Sequence, residues 1–244
     1  MIGTAATVLL MALKPITSRA FSAKWQYYIW AAVLVIMVFP IPLKTEKASL
    51  PEPPTFLMPA ENIQTEQTAE SGGETAEHRL DWRNGVSLAW AAGACIYILS
   101  ALVSYHRFLA RKKRGSYAAN IDISAVAAAV GLKKTPPVRI CADTSPPMLV
   151  GVIKPVIYLP DMNFDDGLHM VLMHELTHYK RRDLFYKWAA LIVNGIHWFN
   201  PAAYMVTANI NEACEISCDA AVTRNMSSEE KKKYMQTILN LIHK

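Results

Sequence analysis

Long uncharged runs alternate along this chain with short polar stretches, and the runs set the architecture. Trp25 to Leu43 and Gly85 to Tyr105 contain no charged residue, and each has about the length of 20 residues that a bilayer-spanning helix needs. Trp25, Tyr27, Tyr28 and Trp30 form an aromatic belt at the start of the first run, and Pro40 and Pro42 close it. Ile2 to Leu13 is apolar as well, but at about 1.5 Å per residue it reaches only about 18 Å. It is expected to be a short or tilted span, with an interfacial helix as the alternative, and it lacks the basic start of a signal peptide. Trp188 to Asn211 is uncharged too, but Asn194-Gly195 and Asn200-Pro201 interrupt it. Proline breaks a helix and drives the residue before it out of the α region. The run is therefore expected to be a membrane-associated helical hairpin near residues 184–211, covered by the other helices and returning to the side it left.

The polar stretches complete the plan. Lys44 to Arg83 is rich in Pro, Glu, Thr and Gln and is expected to be an external disordered loop. Ile123 to Val130 predicts a short helix stopped at Gly131. Val138 to Cys141, Met148 to Ile153 and Val156 to Leu159 predict strands cut by proline and glycine turns. Asn163 or Asp165 can cap the next helix, which runs to about Lys180. Four parts follow: amino-terminal membrane helices at 1–43, the loop at 44–83, a transmembrane helix at 84–106, and an α+β domain at 107–244.

Composition supports a membrane protein. The chain has 244 residues, of which 52% are hydrophobic and 18% charged, against about 25% charged in a soluble domain. The net charge of +5 comes largely from residues beside the apolar runs. Lys14, Arg19 and Lys24 precede one span, and Arg107, Arg111, Lys112, Lys113 and Arg114 follow another, so both flanks are placed in the cytoplasm. This clustering argues against direct nucleic acid binding. Arg181 and Arg182 are expected to be interface anchors. Cys95, Cys141, Cys214 and Cys218 lack the spacing of a disulfide framework and are expected to be reduced thiols.

The chemistry lies in His174-Glu175-Leu176-Thr177-His178. Histidines four apart share one helical face, so two imidazoles can hold one Zn²⁺ while Glu175 serves as general base towards an activated water. A catalytic zinc needs a third ligand and an open position. Glu215 supplies one, with Asp219 one turn on to accept the outward N–H of a ligand histidine. Glu212 competes on the same face, and Cys214 and Cys218 form another pair at metal spacing. His169, His197 and Tyr204 are candidate oxyanion donors, each more readily explained as structural, and Met170 and Met173 as packing. The strand from Met148 to Ile153 can pair with an extended substrate or serve as an ordinary sheet strand.

These motifs, with Arg181-Arg182-Asp183, His197-Trp198-Phe199-Asn200-Pro201, Glu215-Ile-Ser-Cys218-Asp219 and Gly151 to Pro160, resemble the bacterial β-lactam-sensing antirepressor metallopeptidases. The resemblance is strong over about residues 107–235 and loose before that. It implies a membrane α-helical region joined to an α+β gluzincin-type zinc peptidase domain, with zinc on His174, His178 and Glu215 and Glu175 as the base. It further implies a multi-pass protein of the bacterial plasma membrane that cleaves a cytoplasmic repressor on an external signal. Lipid is an expected partner, with a second copy of the chain or a separate sensor protein. Sensing members of that family continue into a penicillin-binding domain, whereas this sequence ends at Lys244. Ser228-Glu-Glu-Lys231 has no Lys-Thr-Gly or Ser-Asp-Asn companion, and Ser227 with Glu230 predicts a helix-capping box instead. Antibiotic sensing by this chain is therefore not expected. A non-proteolytic signalling scaffold and a quality-control membrane protease are the alternative readings.

Overall fold

The computed structural model describes residues 2–39, 82–162, 164 and 167–242. Three helices come first: α1 (Ile2–Ala20), α2 (Ala23–Val38) and α3 (Trp82–Arg114). A small sheet follows, made of β1 (Ser116–Ala118), β2 (Val138–Cys141), β3 (Met148–Val150) and β4 (Val156–Leu159), with α4 (Ser124–Val130) between β1 and β2. Four helices end the chain: α5 (Leu168–Arg181), α6 (Asp183–Ile196), α7 (Pro201–Val222) and α8 (Ser228–Ile242).

The first run forms a longer helix than expected. α1 continues through Lys14 and carries Pro15 inside it. α2 is shorter than the expected span, at 16 residues, and positions 40–43 lie outside the described residues. Its buried face of Trp30, Val33, Leu34 and Met37 packs with Ala190 and Val193 of α6 and Val206, Ile210 and Cys214 of α7. Among the described residues one helix, α3, is long and apolar enough to cross a membrane. Trp82 and Arg83, expected in the loop, begin α3; positions 44–81 lie outside the described residues.

The interrupted run forms the helical hairpin α6–α7, with the break at residues 197–200. Gly195 stays helical. Pro201 starts a helix rather than breaking one: it sits in the first turn of α7, where its missing N–H has no intrahelical role, and the Asn200 side chain accepts from Ala202 N at 3.0 Å. Capping explains α8 too. Ser227 N donates to Glu230 Oε2 at 2.7 Å, and Glu230 N donates to Ser227 Oγ at 3.3 Å.

The sheet order is β1-β2-β4-β3, with β2 and β4 parallel and the outer strands antiparallel to their neighbours. β1 has no apolar alternation, which is why the sequence does not predict it. Ile157, Leu159 and Val138 pack with Val126 and Ala127 of α4 and Val171, Leu172 and Leu176 of α5. This core fixes the back of α5, so the opposite face carries the histidines. Gly131 ends α4 in the left-handed region at φ 79°, the stop that its position predicts. Asn163 and Asp165, the expected caps of α5, lie outside the described residues, and Gly167 holds the N-cap position.

α3 is tied to the rest at three heights. Trp90 Nε1 donates to Ile196 O at 3.0 Å and Trp198 Nε1 to Trp90 O at 3.3 Å, at the hairpin turn. Gly151 N donates to Tyr105 Oη at 3.0 Å, and Tyr105 meets the Trp188 ring edge-on. At the basic end, buried Lys112 donates to Asp143 O and to Thr144 Oγ1.

Candidate metal centre

α5 brings His174 and His178 to one face, with Nε2 atoms 3.0 Å apart. The hairpin carries α7 across that face. Glu215 Oε2 then lies 3.5 Å from His174 Nε2 and 3.3 Å from His178 Nε2. Three donors bound tetrahedrally at 2.0–2.1 Å from one ion would stand about 3.3–3.4 Å apart. The chain's own donor triangle has that size, so these residues fit a divalent metal such as zinc with one position left over.

Cysteine offers the competing set, since donor atoms of His174, His178 and Cys218 lie within 4.8 Å of one another. Its sulfur makes contacts distinct from those of Glu215. Cys218 Sγ lies 3.9 Å from His174 Nδ1 and 3.6 Å from the His174 carbonyl. It also approaches His178, so it lies beside both rings. Cys214 is in the helical core. Glu212 points elsewhere, in an ion pair with Lys14 of α1 at 2.6 Å.

The outward ring nitrogens are both held. His174 Nδ1 meets Tyr234 Oη at 2.7 Å and Asp219 Oδ1 at 3.2 Å, and the tyrosine donates to Asp219 Oδ1 at 2.6 Å. His178 Nδ1 meets Asp183 Oδ2 at 2.7 Å. A ring whose Nδ1–H is committed to a carboxylate presents a bare Nε2, the form a metal requires. Asp183 is placed by a tight turn. α5 ends at Arg182, in the left-handed region at φ 59°, and α6 begins at the next residue. Asp183 is almost fully buried and also accepts from Tyr27 Oη at 3.1 Å. Arg181, expected to be an interface anchor, packs towards the site. Its guanidinium covers the Tyr27 ring and donates to Ser217 Oγ, and its Nε lies 3.4 Å from Asp183 Oδ1.

Glu175 is 7% exposed and lines the same cavity of about 410 Å³ as both histidines, Glu215 and Asp219. Burial raises its pKa, with the neighbouring imidazoles opposing. Met148 and Leu149 of the edge strand β3 form the facing wall, with Pro146 and Pro147. None of the candidate oxyanion donors lines this cavity: His169 is exposed, His197 Nδ1 contacts Val193 O at 3.2 Å, and Tyr204 donates to Trp198 O at 2.8 Å. Met170 and Met173 pack beside Cys218, Val222 and Tyr234.

Comparison with known proteins gives the affiliation. The family model described as BlaR1 peptidase M56 matches residues 1–244. The chain belongs to that family. Over 96 residues it is 35% identical to the regulatory protein BlaR1 of Bacillus licheniformis, covering 38% of this chain and 16% of that protein. Over 98 residues it is 34% identical to the methicillin resistance mecR1 protein of Staphylococcus aureus, covering 38% of this chain and 17% of that one. The methicillin resistance mecR1 protein of Staphylococcus epidermidis matches equally. The matched segment thus spans about a sixth of the curated relatives' length. Membership in a metallopeptidase family implies a metal, and the donor triangle is where this chain can hold one.

Sequence reasoning missed Asp183, Tyr234 and Lys187. Asp183 had a local signal, a carboxylate at the N-terminus of the helix that follows the histidine helix. Tyr234 lies 60 residues from His174, and only the folding of α8 against α5 brings it there. Lys187, which pairs with Glu215 Oε1 at 3.1 Å, had no signal.

Proposed function

We propose that this chain is an integral-membrane zinc endopeptidase of the gluzincin type, with His174, His178 and Glu215 as metal ligands, Glu175 as general base and Asp219 behind His174. The observation that carries this reading is the donor triangle, with a buried carboxylate beside it. Zinc held there would lower the pKa of a water and polarise a peptide carbonyl. Glu175 takes the water proton and later gives it to the leaving amine. Its place in the cavity beside both histidines suits both roles. Asp219, Tyr234 and Asp183 fix the two rings and need not touch the substrate. The exposed edge of β3 can pair with an extended peptide, whose scissile bond then faces Glu175.

The topology we propose is multi-pass, with residues 44–83 outside and the peptidase domain of residues 107–244 facing the cytoplasm. Amino-terminal helices at 1–43 and a transmembrane helix over 84–106 precede that domain. Trp90 and Tyr105 are about 22 Å apart along α3, and the hairpin touches α3 at both levels. The hairpin near 184–211 therefore lies beside α3 at membrane depth, its backbone groups satisfied within helices. The substrate class is a cytoplasmic transcriptional regulator, cleaved on a signal from a sensor, as the likeness to BlaR1 and to methicillin resistance mecR1 suggests. Lipid, a second copy of the chain or a separate sensor protein is the expected partner.

The test compares cells producing the wild type with cells producing Glu175→Gln. New protein N-termini in a cytoplasmic regulator should appear with the wild type. They should be absent with the variant, since losing a general base slows such a step by about 10²–10⁴-fold. Equal cleavage by both proteins, or a signal passed on without cleavage by either, would exclude this reading.

A further inference from the structure

We infer that Lys187 is a positioning residue that holds Glu215 to coordination through one oxygen and so keeps a position at the metal open. This inference rests on the reading of His174, His178 and Glu215 as ligands. The two oxygens of Glu215 have separate partners. Oε2 faces both histidine Nε2 atoms, at 3.5 and 3.3 Å. Oε1 lies 3.1 Å from Lys187 Nζ, and both side chains line the same cavity.

The placement follows from α6. Lys187 is one turn after Asp183, on the same helical face. The first turn of α6 thus orients His178 through Asp183, and the second orients Glu215 through Lys187. The ion pair is half-exposed, so it adds little to stability. Its effect is geometric. A carboxylate free at both oxygens can bind a divalent ion through either or both, and two-oxygen binding would fill the position that water and a peptide carbonyl must share. An ammonium is a compact donor that engages Oε1 and leaves Oε2 to the metal. An arginine fork would take both oxygens.

The experiment uses the full chain in detergent, loaded with Co²⁺, whose visible absorption is strong when four-coordinate and weaker when five-coordinate. The wild type should bind one Co²⁺ with the strong spectrum. Lys187→Met keeps the apolar stem and should retain Co²⁺ while shifting to the weaker, five-coordinate spectrum. Lys187→Arg should lose about ten-fold or more in Co²⁺ affinity. It carries the test if the methionine variant fails to fold, which melting of the metal-stripped proteins would show. A wild-type spectrum in Lys187→Met, or wild-type affinity in Lys187→Arg, overturns the role of Lys187 alone. A wild type without Co²⁺ at this site overturns the ligand assignment beneath it.

Discussion

His174 and His178 each lean on a separate carboxylate, and that division governs how they respond to protons. Burial disfavours an imidazolium at either ring, but hydrogen bonds outweigh it. Asp219, Cys218 and Glu215 raise the pKa of His174, while Asp183, Cys218 and Glu215 raise that of His178 to about 11. Raised folded values mean that the protonated rings stabilise the metal-stripped protein. That contribution is complete below the ordinary imidazole value near 6.5 and is lost as pH climbs towards about 11. A metal needs the same nitrogens without protons. The zinc-dependent rise in melting temperature should therefore be larger at pH 9 than at pH 6.5. An equal or smaller rise at pH 9 would contradict the competition. The helical spacing of His174 and His178 and the downstream Glu215 and Asp219 were legible in the sequence, because local periodicity places them. Lys187 and Tyr234 were not, because they reach the site only through the packing of α6 and the docking of α8; Asp183 stood in a motif, but its pairing with His178 depended on the α5–α6 turn.

α3, the one described helix long and apolar enough to cross a membrane, also reaches the wall of the cleft. Its Lys112 is 6% exposed, and its ammonium serves the Asp143 carbonyl and the buried Thr144 hydroxyl. Tyr105 accepts from Gly151 N at the other end of the same loop and strand. These two contacts bracket residues 143–151, which include the Pro146-to-Leu149 wall of the cavity. Lys112→Met would remove the donor from the Asp143 carbonyl and leave the buried Thr144 hydroxyl without it, at a cost of about 1–3 kcal/mol. Hydrogen exchange should speed up at residues 143–151 in that variant and stay unchanged in α7. Unchanged protection across 143–151 would show that α3 does not hold the wall. Most helices and three of the four strands could be read from hydrophobic runs and their breakers. β1 could not, since it is a three-residue edge strand defined by pairing with β2. The role of Pro201 was legible only as an interruption; the Asn200 cap turns it into a helix start.

At the scale of the whole molecule, the hairpin brings the two halves of the site together, and in the proposed topology both come from the same side of the membrane. α5 leaves the sheet, α6 runs up along α3, and α7 returns with Glu215 to face the histidines. If the chain instead crossed once between Trp188 and Asn211, Ser227 would be outside. Ser227→Cys in intact cells should resist a membrane-impermeant thiol reagent until the cells are opened, and labelling from outside would overturn the topology. The charge asymmetry is what motivates this orientation, whereas the packing of α2 against α6 and α7 depended on a face that a uniformly apolar run does not mark. Bound zinc per chain measures the metal site itself. Purified wild type, Glu175→Gln and Glu212→Ala should each carry one zinc, while His174→Ala, His178→Ala and Glu215→Ala should lose most of theirs. Full zinc in Glu215→Ala, or zinc lost in Glu212→Ala instead, would contradict it.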